Sequence, residues 1–157
     1  MKPLTPCLWF DNNAEEAVNF YASIFKNSKI VSVSHYSEAG PGEPGSVLTI
    51  VFEINGQKFM ALNGGPQFKF SEAISFVVYC DTQAEIDDYW QKLTAGGQEV
   101  QCGWLTDKFG VSWQIVATIT EKLLSDPDPE KVRRVFEAIL KMVKLDIAEL
   151  VRAYEGG

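Results

Sequence analysis

The sequence contains the same order of secondary-structure signals twice, and this repeat constrains the fold more than any other feature. In each copy a short apolar run predicts a strand, a turn follows it, and apolar residues with helical spacing come next. The two turns begin at Asp11 and Asp81, which are 70 residues apart. Further strand signals complete each copy. A repeated unit usually cannot cover its own apolar surface alone. We therefore predict an α+β fold made of two βαβββ modules.

The predicted strands follow from runs of apolar and β-branched residues bounded by turn signals. The strands of the first copy are predicted at 7–10, 29–37, 47–54 and 57–63, and those of the second at 74–80, 98–102, 103–106 and 111–116. Asn55 and Gly56 between two of these strands form a strong hairpin signal. The helical stripes comprise Ala17, Phe20, Tyr21 and Ile24 in the first copy and Ile86, Tyr89, Trp90 and Leu93 in the second.

The segment after the repeat is predicted to be helical. Asp128 followed by Pro129 is typical of a helix start, and Asp146 with Glu149 has the spacing of a capping box. We therefore predict a domain at 1–118 with modules at 4–64 and 72–118, and a C-terminal helical extension at 119–157.

Composition excludes several classes of partner. The chain of 157 residues carries a formal net charge of −7 at pH 7, which disfavours nucleic acids and anionic membrane surfaces. It contains no apolar stretch of the length of a signal or a membrane span. Three cysteines without a paired spacing suit a reducing compartment. The expected location is cytoplasmic.

Four segments carry a resemblance to a known family. They read FDNNAEEAVNFY, FEINGQKFMALNGGP, TQAEIDDYWQKL and CGWLTDKFGVSWQIV. They look like the PhnB-like family of the vicinal-oxygen-chelate, or glyoxalase/bleomycin-resistance, superfamily, members of which have been labelled demethylubiquinone methyltransferase. The resemblance implies a curved mixed sheet around a cavity, a divalent metal held by His and Glu side chains, and a homodimer.

The sequence departs from this pattern at the expected metal ligands. Gln114 stands where the resemblance implies a Glu, and the matching strand of the first module reads Phe59-Met60-Ala61-Leu62. The opening strands offer Leu4, Thr5 or Pro6 and Ile74 where a His is expected. A catalytic metal needs about three protein ligands, and only His35 and Glu53 with another carboxylate remain as candidates. We therefore predict no metal and no cofactor.

The predicted ligand-binding residues are aromatic or neutral polar. Aromatic residues on strands and on the loop between the modules could line a concave surface, although core packing is the commoner role of any one of them. Tyr36 is the best polar candidate, and the amides and hydroxyls at strand ends could orient a ligand. The full set is Tyr36, Asn63, Phe68, Phe70, Ser75, Trp104, Trp113 and Gln114.

Three hypotheses for function follow, and whether the protein is an enzyme stays open. The first is binding of an unidentified small organic molecule in a metal-free cavity. The second is a metal-dependent lyase, isomerase or dioxygenase. The third is a non-catalytic dimerisation or interaction module whose partner contact lies in the helical tail. A methyltransferase is disfavoured, because the sequence lacks a parallel-sheet pattern with a Gly-rich turn before a helix.

Overall fold

A computed structural model describes residues 3–157, and it divides into two compact units on either side of the Phe70–Ser71 bond. Each unit contains one four-stranded mixed sheet with its own helix, which confirms the α+β fold of two βαβββ modules. Within the described residues, the longest apolar helices fall short of the length needed to cross a bilayer.

Unit 1 contains one helix and four strands. They are β1 (Cys7–Phe10), α1 (Ala14–Ile24), β2 (Ser28–His35), β3 (Val47–Ile54) and β4 (Gln57–Asn63). The strand order is β1-β4-β3-β2, in which β1 runs parallel to β4 and the other pairs are antiparallel. The hairpin between β3 and β4 is confirmed, since Asn55 and Gly56 have φ values of 49° and 80°, the positive angles of a two-residue turn.

The core of unit 1 lies between α1 and one face of its sheet. Alternate residues of β3 and β4 are buried, and they meet the apolar stripe of α1. The buried residues include Ala14, Ala17, Val18, Tyr21 and Ile24 from the helix and Leu8, Phe10, Ile50, Phe52, Ile54, Phe59 and Ala61 from the sheet.

Unit 2 repeats this arrangement and adds three helices. It contains β5 (Ser75–Cys80), α2 (Gln83–Thr94), β6 (Gln98–Glu99), β7 (Trp104–Thr106), β8 (Ser112–Ala117), α3 (Ile119–Leu124), α4 (Pro129–Lys141) and α5 (Ile147–Glu155). Its strand order is β5-β8-β7-β6, with β5 parallel to β8. Helix α2 begins with a capping box between Thr82 and Glu85, and its residues Ile86, Trp90 and Leu93 are buried.

Strand β6 is much shorter than the sequence predicts. The chain turns at Cys102 and Gly103, both with positive φ, so the strand cannot continue to residue 102. Their backbone N–H groups instead donate hydrogen bonds to the carbonyls of Met142 and Val143, at 2.8 and 2.7 Å. This turn therefore pairs with the segment that follows α4.

The C-terminal helices complete the core of unit 2. Val135 and Leu150 are fully buried, and Met142 and Leu145 are nearly so. Arg134 on α4 also donates hydrogen bonds to the carbonyls of Ala153 and Tyr154 at the end of α5, both at 2.8 Å. The helical tail is thus packed into unit 2.

Candidate functional site

The register of the unit 2 strands divides their side chains between two faces. Gln114 pairs with Trp104 on one side and Val77 on the other, and Ser112 pairs with Thr106 and Ser75. Paired residues point to the same side of a sheet, and successive residues of a strand alternate. We call the resulting surface the Gln114 face; it carries Ser75, Val77, Tyr79, Gln98, Trp104, Thr106, Ser112, Gln114 and Val116.

Three neutral polar side chains lie together on the Gln114 face. The Gln114 side-chain amide donates a hydrogen bond of 2.9 Å to the hydroxyl of Ser75. Ser112, two residues before Gln114, is only 2 % exposed, and within residues 3–157 its hydroxyl has no hydrogen-bond partner. Buried polar groups in native proteins are nearly always paired, so an unpaired one requires an explanation.

The same face also presents an apolar and aromatic area. Val77 is 42 % exposed and Tyr79 is 61 % exposed. Trp104 and Val116 are half-buried on the neighbouring strands. Such a combination of apolar surface with a few polar groups is typical of small-molecule sites.

Trp113 lies on the opposite face of the sheet, where α2 packs. Its indole N–H donates a hydrogen bond of 2.9 Å to the carboxylate of Asp107, which also accepts from the backbone N–H groups of Phe109 and Val111. Both residues are buried. Asp107 therefore organises the turn between β7 and β8, and Trp113 cannot share a surface with Gln114.

In unit 1, Tyr36 and Asn63 lie against a different cavity. It has a volume of about 310 Å³, and three carboxylates stand on its lining, those of Asp11, Glu15 and Glu43. The tyrosine hydroxyl donates a hydrogen bond of 2.5 Å to the backbone carbonyl of Asn63. The structure thus brings these two predicted residues together.

Both residues also have structural contacts of their own. The Asn63 side chain accepts from the N–H of Ala14 at 2.9 Å and donates to the carbonyl of Val47 at 3.0 Å. It therefore caps the first turn of α1, where Asn13 makes no side-chain cap. The ring of Tyr36 packs so tightly on Gly40 and Gly42 that a Cβ at either glycine would lie 2.6 or 2.4 Å from it.

Phe68 and Phe70 belong to the segment after β4, which packs on β1 of unit 1. The Phe68 ring meets Trp9 edge to face at 4.9 Å, and the Phe70 ring meets Phe10 in the same way at 5.2 Å. The Trp9 indole N–H also donates to the carbonyl of Gly65 at 2.9 Å. The aromatic pairs therefore fix this segment on unit 1.

The residues present do not fit the divalent metal that the resemblance implies. His35 pairs with Val47 and Glu53 pairs with Lys29 at the other end of the hairpin, so the two side chains are separated by roughly 20 Å at about 3.3 Å per residue. The Glu53 carboxylate also forms an ion pair with the Lys29 ammonium, at 3.0 Å. Within the described part of the chain, no group of three His, Cys, Asp or Glu side chains is arranged so that it could hold a metal ion.

One cysteine lies beside the strand position that matches Gln114 in unit 1. Cys7 on β1 pairs with Met60 on β4, as Val77 pairs with Gln114. Burial raises the pKa of the Cys7 thiol, which opposes the thiolate form that binds metals. Gln114 is a neutral amide and not the carboxylate that the resemblance implies, and the matching place in unit 1 offers only a thiol beside a thioether, so neither place has the ligands of a typical zinc or iron site.

The paired βαβββ units have the architecture of the glyoxalase/bleomycin-resistance class of proteins. Residues 2–116 match the family described as 3-demethylubiquinone-9 3-methyltransferase. The chain belongs to this PhnB-like family.

Solved structures agree with this assignment. A PhnB protein from Bacillus cereus, described as a 3-demethylubiquinone-9 3-methyltransferase homologue, is 41% identical, with 74% of this chain and 100% of that chain covered and a TM-score of 0.68. Protein PA1353 from Pseudomonas aeruginosa is 19% identical (74% and 98% covered, TM-score 0.63). The fosfomycin resistance protein FosX from Listeria monocytogenes, complexed with Mn(II) and sulfate, is 17% identical (78% and 94% covered, TM-score 0.54). Comparison with curated proteins finds no match.

The residues predicted from sequence omit three polar residues of the Gln114 face, which are Gln98, Thr106 and Ser112. Ser112 lies two residues before Gln114 and therefore shares its side of β8. The signal in the sequence is the alternation of side chains along a strand, in which every second residue shares a face. It identifies the face, but the missing partner of the Ser112 hydroxyl depends on packing that the sequence does not show.

Proposed function

We propose that this PhnB-like protein binds a small organic molecule on the Gln114 face, without a divalent metal. One observation carries the proposal: the unpaired, buried hydroxyl of Ser112 next to the hydrogen-bonded pair of Gln114 and Ser75. Leaving a buried polar group unpaired costs about 1–3 kcal/mol. That cost is recovered if a ligand rearranges this network.

The ligand residues that we propose are Ser75, Trp104 and Gln114, because they share one face. Tyr36 with Asn63 stays a second candidate, at the cavity of unit 1. We propose structural roles for the other predicted residues, since their rings or bonds are used within the fold. These are Phe68, Phe70 and Trp113.

The metal-dependent and methyltransferase hypotheses have less support. FosX is a manganese-containing protein of the same fold, but here the donors of a metal site are dispersed. Each described sheet has a single parallel strand pair, whereas dinucleotide-type cofactor folds use a mostly parallel sheet with a Gly-rich turn. Only the description of the family supports a methyltransferase activity.

A non-catalytic role as a homodimerisation module has one specific observation in its favour. On α4, Phe136 and Leu140 are 52 % and 54 % exposed and lie at helical spacing. An exposed apolar stripe of this kind is a candidate contact surface. This role is compatible with ligand binding in unit 2.

Native mass spectrometry of protein purified without chelator tests the proposal. We expect a retained organic molecule or an empty site, and metal analysis is expected to give well under one divalent ion per chain. Gln114→Ala should abolish retention of a copurifying molecule, while Gln57→Ala, at an exposed amide in unit 1, should not.

A stoichiometric divalent ion would contradict the metal-free part of the proposal. The decisive measurement is then ligand affinity before and after dialysis against EDTA. A loss of binding that Mn(II) or Zn(II) restores favours the metal-dependent enzyme, whereas an unchanged affinity supports hydrogen bonding by Gln114 and Ser75.

A further inference from the structure

The geometry points to the class of ligand: an uncharged molecule with a carbonyl group at one end and an apolar or aromatic body. This inference rests on the proposed binding function of the Gln114 face. It follows from the charges, the hydrogen-bonding capacity and the apolar area of that face.

A row of neutral polar residues crosses all four strands of the unit 2 sheet. Strand pairing places them side by side in the order Gln98, Thr106, Ser112 and Ser75. At about 4.8 Å per strand the row is roughly 14 Å long. Every member can both donate and accept a hydrogen bond, so the row suits a group such as a carboxamide or a ketone.

The strands that carry the face contain no compensating charge for an anion. Strands β5, β7 and β8 read SFVVYC, WLT and SWQIVA, without an acidic or basic residue. The one charged strand residue of the sheet, Glu99, accepts a hydrogen bond of 2.7 Å from Trp90 of α2 and so belongs to the other face. A bound carboxylate or phosphonate would lose hydration without gaining a cation, in a chain of net charge −7.

Binding of a carbonyl also supplies a partner for Ser112. The Gln114 amide N–H that now donates to Ser75 turns to the ligand oxygen. The Ser75 oxygen, which no longer accepts from Gln114, then rotates to accept a hydrogen bond from the Ser112 hydroxyl on the adjacent strand. The unpaired hydroxyl of the free protein thereby becomes paired. The body of the ligand lies on Trp104, Val77 and Tyr79, which extend from Gln114 along the same face.

Benzamide and benzoate form a matched pair of probes, because they have the same shape and differ in charge. Titration of the ¹⁵N-labelled full chain at pH 7.5 should shift the Gln114 side-chain amide and the Trp104 indole resonances with benzamide. We expect benzoate to bind at least about tenfold more weakly, because its charge has no partner on this face.

A cation placed on the face should reverse this preference. Val77→Lys puts an ammonium beside Gln114 at an exposed position, and we expect benzoate to bind this variant more tightly than benzamide. Val33→Lys is the matched control, since Val33 is 44 % exposed on β2 of unit 1. It should leave the preference for benzamide unchanged.

Ser112→Ala separates a ligand role from a structural role. The hydroxyl has no partner among the described residues, so its removal should leave the thermal stability of the free protein equal or higher, while benzamide affinity falls several-fold. Thr120→Val removes a second buried hydroxyl, on α3, that has no partner within residues 3–157, and should not change the affinity. A loss of stability in Ser112→Ala with unchanged affinity would overturn the role assigned to Ser112.

The outcomes distinguish this inference from the proposed function. Equal or tighter binding of benzoate, with shifts at Gln114 and Trp104, overturns the neutral class but leaves the ligand site intact. No shift of either resonance with either probe, up to the solubility limit, contradicts the site itself. Binding of benzamide with the reversal in Val77→Lys alone supports both.

Discussion

At the scale of single residues, Asp107 shows how a buried carboxylate can have a purely structural role. Its two oxygens accept hydrogen bonds from two backbone N–H groups and one indole, at 2.9 to 3.1 Å. These bonds fix the turn before β8 and the ring of Trp113 on the core face. Gln114 is the next residue, so the turn also sets the position of the proposed ligand amide.

We expect Asp107→Asn to destabilise the protein by roughly 2–3 kcal/mol, because a buried carboxylate that accepts three hydrogen bonds is replaced by an amide with one acceptor oxygen. If the NH₂ group of the new Asn side chain faces Trp113, it meets the indole N–H, and two donors oppose each other. If it faces the turn, the backbone N–H groups of Phe109 and Val111 lose their acceptor. The free energy of unfolding in urea measures the effect.

The matched control is Asp88→Asn on α2. Asp88 forms an exposed i,i+4 ion pair with Lys92 at 2.7 Å, and pairs of this kind contribute about 0.3–0.5 kcal/mol. Equal urea midpoints for the two variants would show that the turn does not depend on the Asp107 charge.

Cys80 provides a second test at this scale. Burial, with smaller contributions from Glu85 and Asp81, raises the pKa of its thiol to about 11. At pH 8 only about one thiol in a thousand is then a thiolate, the form that reacts. We expect iodoacetamide to leave Cys80 unmodified in the native protein and to alkylate it in guanidinium chloride, as read by peptide mass spectrometry. Modification at the rate of a free thiol would contradict its burial.

At the scale of elements, the loop between β2 and β3 is built on Tyr36. Its backbone N–H donates to the carbonyl of Ser46, and its carbonyl accepts from Gly45, both at 2.9 Å. Its ring fills the space that side chains at Gly40 and Gly42 would need. The loop therefore closes over the aromatic ring and forms one wall of the unit 1 cavity.

Gly42→Ala should open this loop. Its Cβ would lie 2.4 Å from two ring atoms of Tyr36, and overpacking of this kind costs about 1–3 kcal/mol. We expect faster amide exchange at Tyr36 and Gly45 with the rest of the β-sheet still protected. Glu38→Ala, at an exposed position of the same loop, is the control. Unchanged exchange at both amides in Gly42→Ala would show that the ring moves aside freely.

The sequence predicted the elements well wherever local chemistry decides them. The hairpin at Asn55-Gly56, the start of α4 at Asp128-Pro129 and the apolar stripes of α1 and α2 all depend on nearby residues. The early end of β6 was missed because the partners of its turn, Met142 and Val143, lie some forty residues away. The predicted site includes both Trp113 and Gln114, although neighbouring residues of a strand point to opposite faces of the sheet.

At the scale of the whole molecule, the repeat predicts the architecture, and the C-terminal helices determine whether the second copy can fold. The two sheets have the same strand order, but unit 2 contains three further helices. Their buried residues, among them Val135, Leu145 and Leu150, form part of its core. A helical extension predicted from sequence as a separate segment is thus integral to unit 2.

A chain that ends at Ser125 should therefore fail to fold unit 2. It lacks Val135, Met142, Leu145 and Leu150, whose burial contributes roughly 2 kcal/mol each, together comparable to the total stability of about 5–15 kcal/mol of a typical domain. We expect loss of dispersed amide resonances for Leu105 and Ile115 in the core of unit 2. Removal of Gly156 and Gly157 alone, beyond the last turn of α5, should leave them in place.

This expected failure changes how a role of the tail in assembly must be tested. If deletion unfolds unit 2, a lost dimer says nothing about contacts made by α4. Phe136→Glu with Leu140→Lys changes only exposed side chains, so the fold should persist, and light scattering then reports whether the α4 stripe holds two copies together. A shortened chain that keeps Leu105 and Ile115 protected would contradict the integral role of the tail and make the deletion itself a valid test.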